Sequence, residues 1–339
     1  MNPRELLLGS FKAAVAAADP LQIVPQHLPA PPKGRTLVIG AGKAAASMAL
    51  AVEQHWPADA PLAGTVITRY GHSLPTSRIK VVEAGHPVPD AAGESAARAI
   101  FEAVKQLTPD DLLLALVSGG GSSLLSLPVA SITMADLKAV TQSLLHCGAA
   151  IQEINTVRKH LSSIQGGRLA AVCAARIHAL VISDVTGDDP THIASGPCAP
   201  DPTTYADALE ILARYGCAVP TAVLDTLQCG ARGDLPETPT PGDAIFVRAE
   251  NRVIATAHQS RIGQELPEGL RDYRRGDPAR WIAWKKSSLT LATGAGLVTR
   301  EPASSRAPDR WLDLEHSHGL AGLDTEQRLS RLASWLVAA

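Results

Sequence analysis

The chain has 339 residues, of which 45% are hydrophobic and 19% charged; this is typical of a globular protein long enough for two domains. A net charge of -2 gives no electrostatic basis for binding nucleic acid or an anionic membrane. The five cysteines show no CxxC or metal-type spacing, which indicates free thiols in a reducing compartment. Without a signal-like N-terminus or a membrane-length apolar run, the sequence predicts a soluble, cytoplasmic protein.

The stretch around residue 115 predicts a buried strand that runs into a glycine loop. Residues 112–117 are an unbroken apolar run, typical of a strand covered on both faces in a parallel sheet. Three glycines flanked by serines follow, where backbone N–H groups can form a concavity for anions. We predict a phosphate-binding loop here, with a flexible turn as the alternative. Its residues are Ser118, Gly119, Gly120, Gly121, Ser122 and Ser123.

An earlier junction between a strand and a helix carries a second glycine motif. Gly40-x-Gly42-x-x-Ala45 satisfies a loose dinucleotide-binding fingerprint. That fingerprint also requires an acid at the end of the second strand, and Arg69 follows that strand instead. Arg69 could tolerate a 2′-phosphate, so the dinucleotide hypothesis is weakened but stays open.

The same junction supports a different hypothesis centred on Lys43. A lysine in the first turn of a helix opposes the helix dipole, so a functional reason for it is plausible. Its ammonium group would offer a point charge to a phosphoryl group. Ala44 stands where a Walker A motif has Ser or Thr, so this is not that motif. A lysine that simply points to solvent is the alternative.

Two further polar stretches carry candidate residues. His86 follows a predicted strand and could face the site, or it could be a turn histidine bonded to backbone. A helix predicted at residues 151–164 has a polar side, for which a solvated face is the usual explanation. That side carries Glu153, Asn155, Arg158, Lys159 and His160.

A cluster of acids follows another buried strand, at residues 177–183. Asp184, Asp188 and Asp189 could hold a hard cation such as Mg²⁺, although aspartates in turns often serve only as caps. In a parallel sheet the loops after all three strands would meet at one edge. Lysine, glycine loop and carboxylates together supply what phosphoryl transfer requires.

Six motifs stand in order over residues 1–258: Gly40-Ala-Gly-Lys43, Ala84-Gly-His-Pro-Val-Pro-Asp90, Val117-Ser-Gly-Gly-Gly-Ser-Ser123, Asn155-Thr-Val-Arg-Lys-His-Leu-Ser162, Gly166-Gly-Arg-Leu-Ala170, and Ile182-Ser-Asp-Val-Thr-Gly-Asp-Asp-Pro190 with Ala194-Ser-Gly-Pro197. Together they resemble the motifs of the bacterial-type ATP-dependent glycerate 2-kinases, a family whose members also carry the name hydroxypyruvate reductase.

The resemblance implies phosphorylation of D-glycerate at the 2-hydroxyl with ATP and Mg²⁺, in a cleft between a Rossmann-like domain and a smaller C-terminal α/β domain. Lys43 matches the family's catalytic lysine, residues 119–123 its phosphate loop, and the three aspartates its acidic motif. The metal role of the aspartates is our own hypothesis.

The C-terminal part departs from the family. From about Ser260 the chain is rich in Trp and Arg, apolar periodicity is poor, and the family's second glycine loop and catalytic arginine are missing. An out-of-frame tail would explain this, and a divergent tail is the alternative. We therefore expect an α/β, Rossmann-like three-layer domain with a parallel sheet at residues 1–245, followed by an atypical, poorly structured tail at 246–339.

The sequence is compatible with three functions. The first is a glycerate 2-kinase, impaired by the loss of its second domain. The second is an NAD(P)H-dependent hydroxypyruvate reductase that uses Gly40 and Gly42. The third is an inactive nucleotide-binding remnant, since a cleft lacking one wall cannot exclude water.

Overall fold

The computed structural model describes residues 3–185, 187–256, 269–272 and 298–301. One compact unit spans Phe11–His258. Of the other unit, the described part includes an antiparallel pair formed by β7 (Gly269–Asp272) and β8 (Val298–Glu301). Of the tail in which we expected little structure, residues 257–268, 273–297 and 302–339 lie outside the described residues. No helix in the described ranges is long and apolar enough to cross a membrane.

The first unit is built on a six-stranded sheet in which every neighbouring pair is parallel. The strands are β1 (Thr36–Ala41), β2 (Leu62–Arg69), β3 (Ile79–Ala84), β4 (Leu112–Ser118), β5 (Arg176–Ser183) and β6 (Ala249–Thr256). Their order is β3-β2-β1-β4-β5-β6, the order of doubly wound α/β domains. The order reverses between β1 and β4, and in such sheets ligands bind outside the carboxyl ends of the strands at that point.

Among the described residues, helices precede the first strand and connect most of the later ones. They are α1 (Pro3–Ala17), α2 (Pro20–Ile23), α3 (Ala45–His55), α4 (Ala91–Lys105), α5 (Gly121–Leu124), α6 (Met134–His146), α7 (Ile151–His160), α8 (Arg168–Ala171), α9 (Tyr205–Tyr215) and α10 (Thr221–Ala231). Short 3₁₀ turns occur at Val24–His27, Ile193–Ser195 and Ala244–Val247. The expected three-layer α/β domain is confirmed.

Alternating strand residues pack into two cores, one on each face of the sheet. Leu112, Leu114 and Leu116 of β4 pack with the inner side of α3, whereas Leu113 and Val117 pack with α4. Every residue of β4 is buried, as its continuous apolar run predicts. A third core joins α6, α7, α9 and α10.

The sixth strand of the sheet follows residue 245, at which we expect the first domain to end. β6 pairs with β5 in parallel, and the compact unit continues to His258. β6 lies at the edge of the sheet, where its residues alternate between half-buried and exposed before Val253. An edge strand of this kind lacks the apolar run that made β4 recognisable.

The polar side of α7 is not a solvated face. Arg158, Lys159 and His160 are 9%, 1% and 0% exposed. Lys159 forms a 3.2 Å ion pair with Asp201, and the His160 ring lies edge-on against Tyr205. The expected exposure is therefore wrong, because the end of this helix is enclosed by segments distant in the sequence.

Candidate functional site

The loops after β1 and β4 pack directly against each other at the point where the strand order reverses. The Ala44 N–H donates to Ser118 Oγ at 3.1 Å, and the Lys43 N–H donates to the Gly119 carbonyl at 2.9 Å. Gly42 has φ +138°, and a Cβ there would lie 2.1 Å from Ser118 Oγ. This contact allows only glycine, and it fixes the backbone of Lys43 beside the glycine loop.

Three separate segments approach the three glycines of the loop. A Cβ at Gly119 would lie 2.0 Å from Asp184 Oδ2, and one at Gly121 would lie 2.5 Å from the Ala194 Cβ. At Gly120, where φ is +86°, a Cβ would meet His86 Nε2 at 2.8 Å and Lys43 Cε at 3.5 Å. Lys43, His86 and Asp184 therefore converge on one short stretch of backbone.

The serines of the loop mainly hold its shape. Ser123 Oγ donates to the Gly120 carbonyl at 3.1 Å, and the Ser122 and Ser195 hydroxyls are 2.9 Å apart. Ser118 is buried and accepts from Ala44, as described above. Donors for an anion would therefore come chiefly from the N–H groups of the glycine backbone.

Replacing Ser118 by alanine is expected to lower the free energy of unfolding by about 1–3 kcal/mol, because the Ala44 N–H would lose its acceptor. Ser47→Ala is the matched control, since the Ala44 carbonyl to which Ser47 donates also accepts from the Met48 N–H. We expect less than about 0.5 kcal/mol there. Urea unfolding of both variants measures the difference, and equal losses would contradict the role of Ser118 in joining the loops.

His86 is the residue at this site to which the sequence assigned no definite role. Its pKa is lowered, first because burial penalises the charged ring and then because Lys43 and Arg69 are nearby; Asp184 opposes the effect. The imidazole is therefore neutral at neutral pH and can accept a proton. In the sequence, His86 is indicated by its position after a strand of the sheet. The glycine loop, Lys43 and Asp184 have the same kind of position.

The three predicted metal ligands are not equivalent. Asp184 is exposed and faces Gly119. Asp188 accepts from Thr256 Oγ1 at 2.7 Å, and Asp189 accepts from the Thr191 N–H at 2.9 Å. Within the described ranges, no three His, Cys, Asp or Glu side chains are grouped as metal ligands. The geometry brings Asp184 alone to the glycine loop.

The first strand-to-helix junction does not present a free dinucleotide site. Two of its N–H groups, those of Lys43 and Ala44, already donate to the loop after β4. Gly40 is enclosed as well, since a Cβ there would meet the Leu116 carbonyl oxygen at 2.5 Å. Arg69 ends β2, where the fingerprint requires an acid.

Comparison with known families and proteins agrees with this fold. The family model described as "Domain of unknown function (DUF4147)" matches residues 6–228. An Agrobacterium vitis protein named "Putative hydroxypyruvate reductase" is 52% identical over 312 residues, covering 89% of this chain and 69% of that protein. The "Glycerate 2-kinase" of Pyrococcus horikoshii is 40% identical over 274 residues, covering 76% of this chain and 62% of that protein.

Solved structures give the same result. The crystal structure of glycerate kinase from Thermotoga maritima is similar with a TM-score of 0.66 and 38% identity, covering 75% of this chain and 59% of that chain. A crystal structure of a Pyrococcus horikoshii protein has a TM-score of 0.69 at 38% identity, covering 76% of this chain and 61% of that chain. This chain thus spans about three fifths of each solved relative.

Proposed function

The chain belongs to the DUF4147 family, and we propose that it is a kinase that transfers the γ-phosphoryl group of ATP to the 2-hydroxyl of D-glycerate. The observation that carries the proposal is the convergence of Lys43, His86 and Asp184 on the glycine loop after β4. Relatives named glycerate 2-kinase, at 40% and 41% identity, support the choice of substrate.

In this proposal the two loops bind the phosphates of ATP together. The backbone of Gly119, Gly120 and Gly121 supplies N–H groups, and the exposed Lys43 side chain supplies a positive charge. In the transition state, negative charge is spread over the oxygens of the transferring group and develops on the departing ADP, so a lysine beside the loop accelerates transfer by stabilising that charge.

Mg²⁺ fits this site as a partner of ATP rather than as an ion held by protein alone. Magnesium commonly uses one or two carboxylates together with substrate phosphates. Asp184 is one exposed carboxylate beside the loop, while Asp188 accepts a hydrogen bond from Thr256 of β6 and Asp189 accepts one from Thr191. When bound, the ion would neutralise phosphate charge. We therefore keep Asp184 as the candidate ligand.

His86 is the proposed proton acceptor. As the 2-hydroxyl oxygen of glycerate bonds to phosphorus and ADP leaves, the hydroxyl proton passes to His86 Nε2. The neutral ring at neutral pH supports this role, as does the position of Nε2 over Gly120.

This role predicts a specific pH dependence. Activity should be full above the pKa of His86 and fall below it, with that pKa under its ordinary value of 6.5. Arg69 contributes to the lowering, so Arg69→Met should raise the pKa and move the acidic limb of kcat/KM to higher pH. Arg98→Met, another exposed arginine, is the control and should leave the limb in place. An unshifted limb in the Arg69 variant would argue against His86 as the base.

The reductase alternative rests on the names of the Agrobacterium vitis relatives, which are 52% and 55% identical. The engaged amides of Lys43 and Ala44 count against it. The deciding experiment incubates the purified chain with D-glycerate and Mg-ATP and separates 2-phosphoglycerate from 3-phosphoglycerate, beside an assay with NAD(P)H and hydroxypyruvate. We expect 2-phosphoglycerate and no NAD(P)H oxidation; NAD(P)H oxidation alone would replace the kinase proposal with the reductase.

The third function is an inactive nucleotide-binding remnant, and it differs from the kinase in predicting no turnover of glycerate. The chain spans 62% and 55% of the two kinases named above. We therefore expect turnover below that of the Thermotoga maritima kinase measured in parallel. Nucleotide binding without any product from glycerate would support the remnant.

A further inference from the structure

A small cavity adjoins the site on the side of the loop that follows His86. Its volume is about 110 Å³, room for a molecule of several heavy atoms. Pro87, Val88 and Pro89 form one wall, and Lys138 of α6 and Arg158 of α7 line it too. Val88 is 54% exposed, so the cavity communicates with solvent at this wall.

Arg158 is a buried cation without a counter-anion. Its side chain donates through Nη2 to the Ser122 carbonyl, while its Nε–H is buried and has no acceptor. Among the ion pairs of the described residues, none includes Arg158. Burial lowers its pKa to about 10, which still leaves it charged at neutral pH. Burying a positive charge of this kind costs free energy unless an anion pairs with it.

The remaining lining favours a small anion with a short carbon chain. Lys138 adds a second positive charge, and Thr141 and Gln142 add polar groups. Leu137, Leu145 and the two prolines are apolar. A guanidinium presents parallel N–H groups that match a carboxylate, so Arg158 suits that group especially well.

Residues on two sides of the cavity adjoin groups that we place in the transfer reaction. Arg158 contacts the carbonyl of Ser122, within the glycine loop, and Pro87 directly follows His86. A molecule whose carboxylate lies at Arg158 would therefore extend toward His86 and the loop. In D-glycerate the 2-hydroxyl is attached to the carbon next to the carboxylate.

We propose that this cavity binds the carboxylate of the hydroxy acid that accepts the phosphoryl group, with Arg158 as its anchor and Lys138 as a second charge. The identity of the ligand rests on the proposed function, whereas the site for a small carboxylate rests on the cavity itself. A phosphate of ATP is the other anion that could pair with Arg158, and the experiment distinguishes a carboxylate from a phosphate.

The test is calorimetric titration of the full chain with D-glycerate, with the uncharged glyceramide, and separately with a non-hydrolysable ATP analogue. Arg158→Gln should weaken D-glycerate binding about 10- to 100-fold and leave the analogue unaffected. Because Arg158 is buried, its substitution can also affect folding. Val88→Asp and Val88→Lys therefore provide a second test at an exposed residue of the cavity wall. We expect affinity for glycerate to fall about five-fold with Asp and to rise with Lys, while glyceramide binding does not respond to either charge.

Val247→Asp is the matched control, because Val247 is exposed and precedes β6 at the amino-terminal edge of the sheet. Absence of glycerate binding by the unmodified chain, or equal glycerate affinity in both Val88 variants, would overturn the inference. So would a loss of affinity for the ATP analogue alone. If these variants form 2-phosphoglycerate with an unchanged KM for glycerate, the proposed carboxylate site is wrong but the kinase activity stands. If glycerate binding depends on the charge at residue 88 but no product forms, the carboxylate site stands and the kinase activity is wrong.

Discussion

Lys43→Ala is expected to lower kcat for 2-phosphoglycerate formation about 10²- to 10³-fold, the usual loss when one preorganised charge or donor in a transition state is removed. The Lys43 side chain is exposed, and its backbone N–H, which bonds to Gly119, remains in the variant. The free energy of unfolding should therefore change little. Steady-state kinetics with D-glycerate and Mg-ATP, together with urea unfolding, separate the two effects.

Lys80→Ala is the control for this substitution. Lys80 is also an exposed lysine, but it lies near the amino end of β3, away from the carboxyl edge of the sheet. We expect its kcat to stay within about two-fold of the unmodified chain. If Lys43→Ala behaves like Lys80→Ala, the lysine does not act on the transferring group and the kinase mechanism proposed here fails.

Much of the fold follows from local patterns in the sequence. The apolar run at residues 112–117 predicts a fully buried parallel strand, and β4 is buried at every position. β6 could not be predicted in the same way, because an edge strand is covered on fewer sides and has no continuous apolar run.

The site was predictable where it depends on topology. Carboxyl ends of parallel strands share one edge, so Lys43, the glycine loop and Asp184 were expected to meet. Asp188 and Asp189 belong to the same motif, but their carboxylates bond to Thr256 and Thr191 instead. Sequence alone does not separate an acid that faces a ligand from one that holds its own loop.

Distant partners explain why the environment of α7 was missed. Arg158 bonds to Ser122 and Lys159 to Asp201, which are 36 and 42 residues away in the sequence. A helix with charges on one side has the same pattern whether that side meets water or other segments. The cost of burying these charges becomes visible only once the partners are known, and for Arg158 it points to an anion.

Gly120→Ala is expected to lower kcat about 10²-fold, since a displacement of about 1 Å at a reacting group can cost that much. An alanine Cβ would lie 2.8 Å from His86 Nε2, so the ring must move away from the loop. The moving atom is the end of a side chain, so relief of this contact costs little stability. The backbone strain at φ +86° should cost about 1–2 kcal/mol.

Gly233→Ala isolates the part of this effect that comes from His86. Gly233 has φ +85°, almost the value at Gly120, but a Cβ there would meet nothing within 4 Å. Both variants should therefore lose about 1–2 kcal/mol of unfolding free energy, while only Gly120→Ala loses activity. Urea unfolding and steady-state kinetics on the pair measure both quantities. Equal activities would mean that the position of His86 over the loop does not matter for transfer, and another group would then have to accept the proton.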